Sequence, residues 1–207
     1  MTESGAERRQ TRGVRRTELF TDAVLGLLVI VLGLDLRAPQ ARPGHLVHGL
    51  LGQWPIYLAY GISFVNLAVV WIGHRTSFAR LKTIDMPLTW ANLGLLFVAA
   101  LVPFGTSVVS GALREGNEGD LRAATALYAL IGTLLMISWL VFDHRIERQP
   151  GLTEEGDGSV FRRKRRKSTV GVALFAVGGL LGYVSPWIAL AIFLAVPIFL
   201  GLTSPPE

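Results

Sequence analysis

Residues 16–39, RTELFTDAVLGLLVIVLGLDLRAP, decide how the rest of the chain is read. The run opens on charge, passes Asp22, continues through apolar and glycine residues, and ends in Asp35, Arg37 and Pro39. Placed on a helix at about 100° per residue, it has two unlike sides. Around Leu27, the side chains of Phe20, Ala23, Val31 and Leu34 fall within about 40° and Ile30 within about 60°, forming an aliphatic stripe. Asp22 falls about 140° away, on the side that carries Gly26 and Gly33. That back is small and polar, and it suits close approach by a neighbouring helix able to satisfy the carboxylate.

Working outward, the 207 residues are 51% hydrophobic and contain repeated long apolar runs, which exclude an ordinary soluble domain. The pattern predicts an all-α multipass bundle with six spans, at about 19–36, 54–73, 87–106, 122–142, 169–184 and 187–203. Each has close to the length needed to cross a hydrocarbon core about 30 Å thick at a rise of about 1.5 Å per residue. The first run is too long and too well flanked for a removable signal peptide. Residues 1–15 form a polar, arginine-rich lead expected to be unstructured, and 16–207 form the membrane domain. Pro186 is expected to start the sixth helix after a tight hairpin.

Charge sets the expected orientation. Of 20 Lys and Arg residues, 16 lie in the N-terminal stretch through Arg16, the 74–86 loop and the 143–168 loop, leaving Arg37, Arg42, Arg114 and Arg122 on the other side. The positive-inside rule then puts both termini in the cytoplasm, which the even number of spans also requires. Within the 143–168 loop an acidic linker, TEEGDG, is followed by FRRKRRK directly before a span. Such a juxtamembrane cluster meets anionic headgroups more readily than nucleic acid, and no nucleic-acid partner is expected.

Asp22 is an ionisable group inside a span, so it needs a partner. Trp71 and His74, one turn apart at the end of the second run, lie at matching depth and can donate hydrogen bonds, and Asn92 in the third run is a further candidate. This reading makes Asp22 an interhelical clasp; the sharper alternative is a proton or cation site on a conduction path. The four histidines have no ligand spacing on one helix face, the chain has no cysteine, and no metal or cofactor is expected. Ser63, Thr133 and Ser138 read as helix-bonding hydroxyls, and no catalytic motif occurs. Gly178, Gly179 and Gly182 mark close helix packing, in a hairpin or between subunits.

Arg16 followed by Phe20-Thr21-Asp22 resembles the R-x-x-x-F-S-D signature that opens the first helix of the lysosomal potassium channel family, in its prokaryotic single-repeat members. Thr21 replaces serine and keeps the hydroxyl. Trp71, His74, Asn92, Pro103 and Tyr128 follow in the order the family shows. The resemblance implies a homotetramer in a bacterial inner membrane, with the first helices lining a potassium-conducting pore. By position it implies a hydrophobic gate at Leu27, with Val31 and Leu34 as further rings. Ile30 departs from the threonine that many members carry there, so its role is open: it faces the pore or packs between subunits. The competing readings are an ion-coupled secondary transporter and a non-conducting membrane scaffold. Inverted repeats would mark the transporter, and none is evident.

Overall fold

A computed structural model describes residues 5–153 and 158–202 and folds them into α-helices: α1 (Gly5–Gly33), α2 (Leu46–Gly52), α3 (Trp54–Phe78), α4 (Met86–Ala99), α5 (Val102–Glu115), α6 (Glu118–Glu147), α7 (Gly158–Gly182) and α8 (Pro186–Leu202). Among the described residues no β-strand forms, only an isolated bridge between Leu81 and Thr153. α3, the α4–α5 pair and α6 are long and apolar enough to cross a membrane, and α8 is a shorter apolar helix. α1 and α7 begin in charged turns, so their apolar portions are correspondingly shorter.

α6 is the organising element, packing most extensively on α7 and also on α4 and α5. The α6–α7 approach depends on glycine. A Cβ at Gly132 would come within 2.3 Å of the Phe175 ring, and one at Gly179 within 2.7 Å of Ala129. The glycines of the fifth run are therefore spent inside the chain, against α6 and α8, rather than left for a neighbouring copy. Phe175 in turn stacks on Phe193 of α8 at 5.7 Å, joining α6, α7 and α8 through one aromatic layer.

Three expectations are corrected. The lead is not unstructured from residue 5 onward: α1 starts at Gly5, because Val14 is buried and Gly13 lies near Ile84, so tertiary contacts hold a polar but helix-compatible sequence. Residues 1–4 lie outside the described residues. The third run does not end near residue 106. Pro103 sits in the first turn of α5, where a missing N–H costs nothing, and the helix runs on to Glu115, where Gly116 at φ 69° closes it. Proline here breaks one long crossing into two stacked helices instead of terminating it. Finally, a short helix, α2, forms in the loop after the first run, with Gly49 set closely on Pro39 and Ala41.

Two loop contacts tie the basic end of the bundle together. Lys82 N donates to Leu152 O at 2.9 Å beside the Leu81–Thr153 bridge. Asp85 caps α4 by accepting from Leu88 N at 2.8 Å and also pairs with Arg145 of α6.

Candidate functional site

The two sides of α1 are sharply separated in the fold. Thr21, Leu25, Leu28 and Leu32 turn into the chain and are buried. Leu27 at 59%, Ile30 at 62%, Val31 at 47% and Leu34 at 65% are exposed, as is Phe20. Among the described residues the aliphatic stripe therefore has no cover, although the helix that bears it is well anchored. The glycine side is neither: Gly26 and Gly33 have open space where a Cβ would stand. The close approach expected at those glycines is absent, because the leucines at 25, 28 and 32 make the contact and turn the glycines toward the rim. Gly26 borders an apolar groove of about 410 Å³ between α1 and α3, with Asp22 and Trp71 at one end.

Adjacent residues at the start of the stripe are held by different helices. Trp71 Nε1 of α3 donates to Asp22 Oδ1 at 3.1 Å. Asn92 Nδ2 of α4 donates to Thr21 Oγ1 at 2.8 Å. His74 does not clasp Asp22. It is fully buried and stacks on Phe78 at 4.0 Å, with Phe78 stacked in turn on Phe142. The His74 ring neighbours Asn92, yet neither ring nitrogen nor Asn92 Oδ1 meets hydrogen-bond geometry. Arg16 is exposed and lies with Phe20 and Asn92 around a second groove beside α4. Arg75 stands 5.9 Å over the Trp71 ring, placing positive charge beside the Asp22 clasp.

A second polar layer, at mid-bundle, was only partly visible in the sequence. Ser63 and Tyr128 share a hydrogen bond of 2.9 Å, and Thr106 Oγ1 donates to Ser63 Oγ at 2.6 Å. Asn66 completes it: its Nδ2 lies 2.9 Å from Ile62 O, 3.3 Å from Tyr128 Oη and 3.2 Å from Phe193 O. The last contact has a cause in the sequence. Pro197 inside α8 has no N–H, so the carbonyl four residues back, Phe193 O, has no helical donor and is met by Asn66 instead. The signal for Asn66 was its amide within an otherwise apolar run; Thr106 gave none, because threonine is routine in such helices.

At the basic end a third group lies between α3, α6 and α7. Asp143 is buried and accepts from Ser168 Oγ at 3.0 Å, while Lys164 Nζ donates to Thr76 Oγ1 at 2.9 Å and Ser77 Oγ at 2.8 Å. These residues border a small cavity of about 80 Å³. No group of three His, Cys, Asp or Glu side chains converges among the described residues to hold a metal.

An uncovered aliphatic stripe on an anchored helix, with no convergent catalytic groups, suits a self-associating membrane protein. Residues 16–103 match the family model described as endosomal/lysosomal potassium channel TMEM175. A potassium channel of Streptomyces collinus is 29% identical over 92% of this chain and 93% of its own length. One from Chamaesiphon minutus is 28% identical over 91% of this chain and 94% of its own. The crystal structure of a lysosomal potassium-selective channel TMEM175 homologue from Chamaesiphon minutus superposes with a TM-score of 0.78 at 26% identity, covering 93% of this chain and 98% of that one. The chain is thus similar to the TMEM175 potassium channels, over residues 16–103 by the family model and over most of its length by prokaryotic relatives.

Proposed function

We propose that this chain is a potassium-permeable cation channel in which α1 from four copies lines a central pore. The observation that carries the reading is the stripe Leu27, Ile30, Val31 and Leu34: exposed in the single chain, directly backed by the buried face of the same helix, and left uncovered by the other described helices. Cyclic assembly gives such a stripe the same environment in every copy. The potassium channels among its relatives support the ion. The similarity to ion channels also argues against an enzyme.

In this reading the membrane domain, 16–207, crosses the bacterial inner membrane six times: by α1, α3, the α4–α5 pair, α6, α7 and α8. Both termini are cytoplasmic, so residues 1–16, the 74–86 loop and the 143–168 loop face the same side, consistent with 16 of 20 basic residues falling there. Leu27 forms the narrowest ring, with Val31 and Leu34 following toward the outside. A narrow aliphatic bore offers an ion nothing in place of its hydration shell and closes by dewetting. Arg16, Phe20, Thr21, Asp22, Trp71, His74 and Asn92 then orient α1 rather than touch the ion. Ile30 supplies no oxygen, so the preference for potassium over sodium is modest.

Single-channel recording of the reconstituted protein tests this, with reversal potentials in potassium and sodium gradients for wild type, Leu27→Ala and Ile30→Thr. Ohmic unitary currents, raised conductance in Leu27→Ala and stronger potassium preference in Ile30→Thr are expected. Saturating low-turnover flux points to a transporter, and absence of flux to a scaffold. Unchanged currents in both variants remove α1 from the pore.

A further inference from the structure

The first turns of α7 carry Arg162, Arg163, Lys164, Arg165, Arg166 and Lys167 in succession, and the fold uses them unequally. Lys164 turns inward to the Thr76 and Ser77 hydroxyls. Glu147 of α6 takes Arg165 at 2.7 Å and Arg162 at 3.5 Å. Arg163 and Arg166 are exposed and have no ion-pair partner among the described residues. They flank an open groove of about 690 Å³, which also takes in Ser159, Thr169 and Val170. Burial, and then the neighbouring Arg163 charge, hold the Lys167 ammonium below its ordinary range, so positive charge is already crowded here and an anion relieves it.

The groove has a defined depth. Arg163, Arg166 and Val170 follow one another at the three- and four-residue spacing of a single helix face. Beyond Arg166 that exposed face turns aliphatic, through Val170, Val177, Leu180 and Leu181. From Arg166 to Leu181 the helix rises about 22 Å at its usual pitch, most of a hydrocarbon core. The far end is marked by exposed Tyr183 and by Trp54 stacked on Trp187 at 6.0 Å, aromatic side chains of the kind that settle at headgroup level. Arg163 and Arg166 thus stand at the opposite headgroup level, with acyl-chain contacts directly beneath them. A soluble phosphate would find the cations but have no use for the aliphatic continuation.

We propose that the Arg163–Arg166 groove is a binding site for the headgroup of an anionic phospholipid, its phosphate held by the two guanidinium groups and its chains lying along the Val170–Leu181 face. Guanidinium forks match phosphate oxygens in pairs. The site is separate from the α1 stripe, and it holds whether or not that stripe lines a pore.

Native mass spectrometry of the full-length purified protein, titrated with phosphatidylglycerol or phosphatidylcholine of matched chains, tests the site. Phosphatidylglycerol is expected to bind in preference to phosphatidylcholine. Arg163→Gln/Arg166→Gln is expected to weaken it about thirtyfold, each single variant about fivefold, and Arg37→Gln/Arg114→Gln on the opposite end not at all. Millimolar inorganic phosphate is expected not to displace the lipid. Unchanged phosphatidylglycerol binding in the Arg163→Gln and Arg166→Gln variants overturns the proposal, as does equal loss in the Arg37→Gln/Arg114→Gln control. Displacement by inorganic phosphate overturns the lipid assignment in favour of a free-phosphate site. A thermal unfolding midpoint within a few degrees of wild type guards each comparison, and the single variants keep the test open if the double variant misfolds.

Discussion

The Asn66–Pro197 relationship makes a quantitative prediction about how the bundle is held. Asn66→Leu keeps the branched side-chain shape but removes the Nδ2 donor that serves Ile62 O, Tyr128 Oη and Phe193 O. Ile62 O still has its helical donor, and Tyr128 keeps Ser63 at 2.9 Å. Phe193 O loses its donor outright, because Pro197 cannot provide one. Interhelical side-chain hydrogen bonds in a bilayer average about 0.6 kcal/mol, and an orphaned buried acceptor costs about 1–3 kcal/mol. The sum is a destabilisation of about 2–3 kcal/mol. Pro197→Ala restores an N–H at the position that reaches Phe193 O, so in that background Asn66→Leu should cost about 1 kcal/mol less. The assay is a double-mutant cycle read by steric trapping in bicelles, with four proteins: wild type, both single variants and the double. Phe193 also contacts Tyr128 at 5.3 Å, so tyrosine fluorescence reports whether the aromatic layer stays in place. Costs that add to within about 0.3–0.5 kcal/mol would refute the argument, since they would mean that Phe193 O does not depend on Asn66.

Three further outcomes follow from the same geometry. Trp71→Phe keeps the ring but deletes the donor to Asp22, and is expected to lower unfolding stability by about 1–2 kcal/mol, more than Asp22→Asn, which keeps an acceptor; equal stability of Trp71→Phe and wild type contradicts the clasp. The chain has no cysteine, so single cysteines at Gln40, Asn117, Ala79 and Ser159 can be labelled with impermeant reagent: 40 and 117 are expected to react from outside and 79 and 159 only after permeabilisation, and any reversal breaks the six-span topology. Burial works against the Asp85 carboxylate, but the Leu88 N–H and Arg145 outweigh it and hold its acidity below the ordinary carboxylate range. A depressed folded value stabilises the protein above the unfolded carboxylate value, and that contribution is lost as pH falls through the folded one. Stability profiles of wild type and Asp85→Asn should therefore converge toward acid pH and separate toward neutrality, whereas parallel profiles contradict the pairing.

The two-sided character of α1 was legible from spacing alone, because a period near 3.6 sorts Leu27, Val31 and Leu34 away from Asp22 whatever surrounds them. So was the start of α8 at Pro186, since proline suits a first turn. The same residue type misled at Pro103. A proline in the first turn of a helix and a proline closing a helix look alike in one sequence, and the answer lay in the twelve residues beyond it, which form α5 through Glu115. The extension of α1 back to Gly5 was hidden because arginine and glutamate suit a helix or a solvated tail equally. It took Val14, buried against the core, to decide between them. Pairing was the least legible level. Trp71, His74 and Asn92 could all be named as partners for the first helix by depth, but depth does not specify azimuth. The fold gives Asp22 to Trp71 and Thr21 to Asn92, and leaves His74 stacked on Phe78.

Azimuth is what those pairings control. Thr21 and Asp22 are successive residues, so their side chains leave α1 about 100° apart, and each is met by a different helix. One hydrogen bond leaves a helix free to rotate about its axis like a door on a hinge. Two bonds in divergent directions at the same height, to Trp71 of α3 and Asn92 of α4, leave far less freedom. The buried leucines at 25, 28 and 32 continue the constraint along the axis. A rotation of one residue would present Gly26 or Leu28 where Leu27 now stands, exchanging an exposed bulky side chain for a glycine or for a leucine that now packs inside the chain. The polar signature thus fixes where the aliphatic stripe points without facing the same way as it. This explains why residues remote from the stripe in angle precede it so closely in sequence. It also separates two classes of variant: those at Thr21, Asp22, Trp71 or Asn92 should disturb every position of the stripe together, whereas those at Leu27, Ile30, Val31 or Leu34 should act singly and in proportion to the side-chain volume removed.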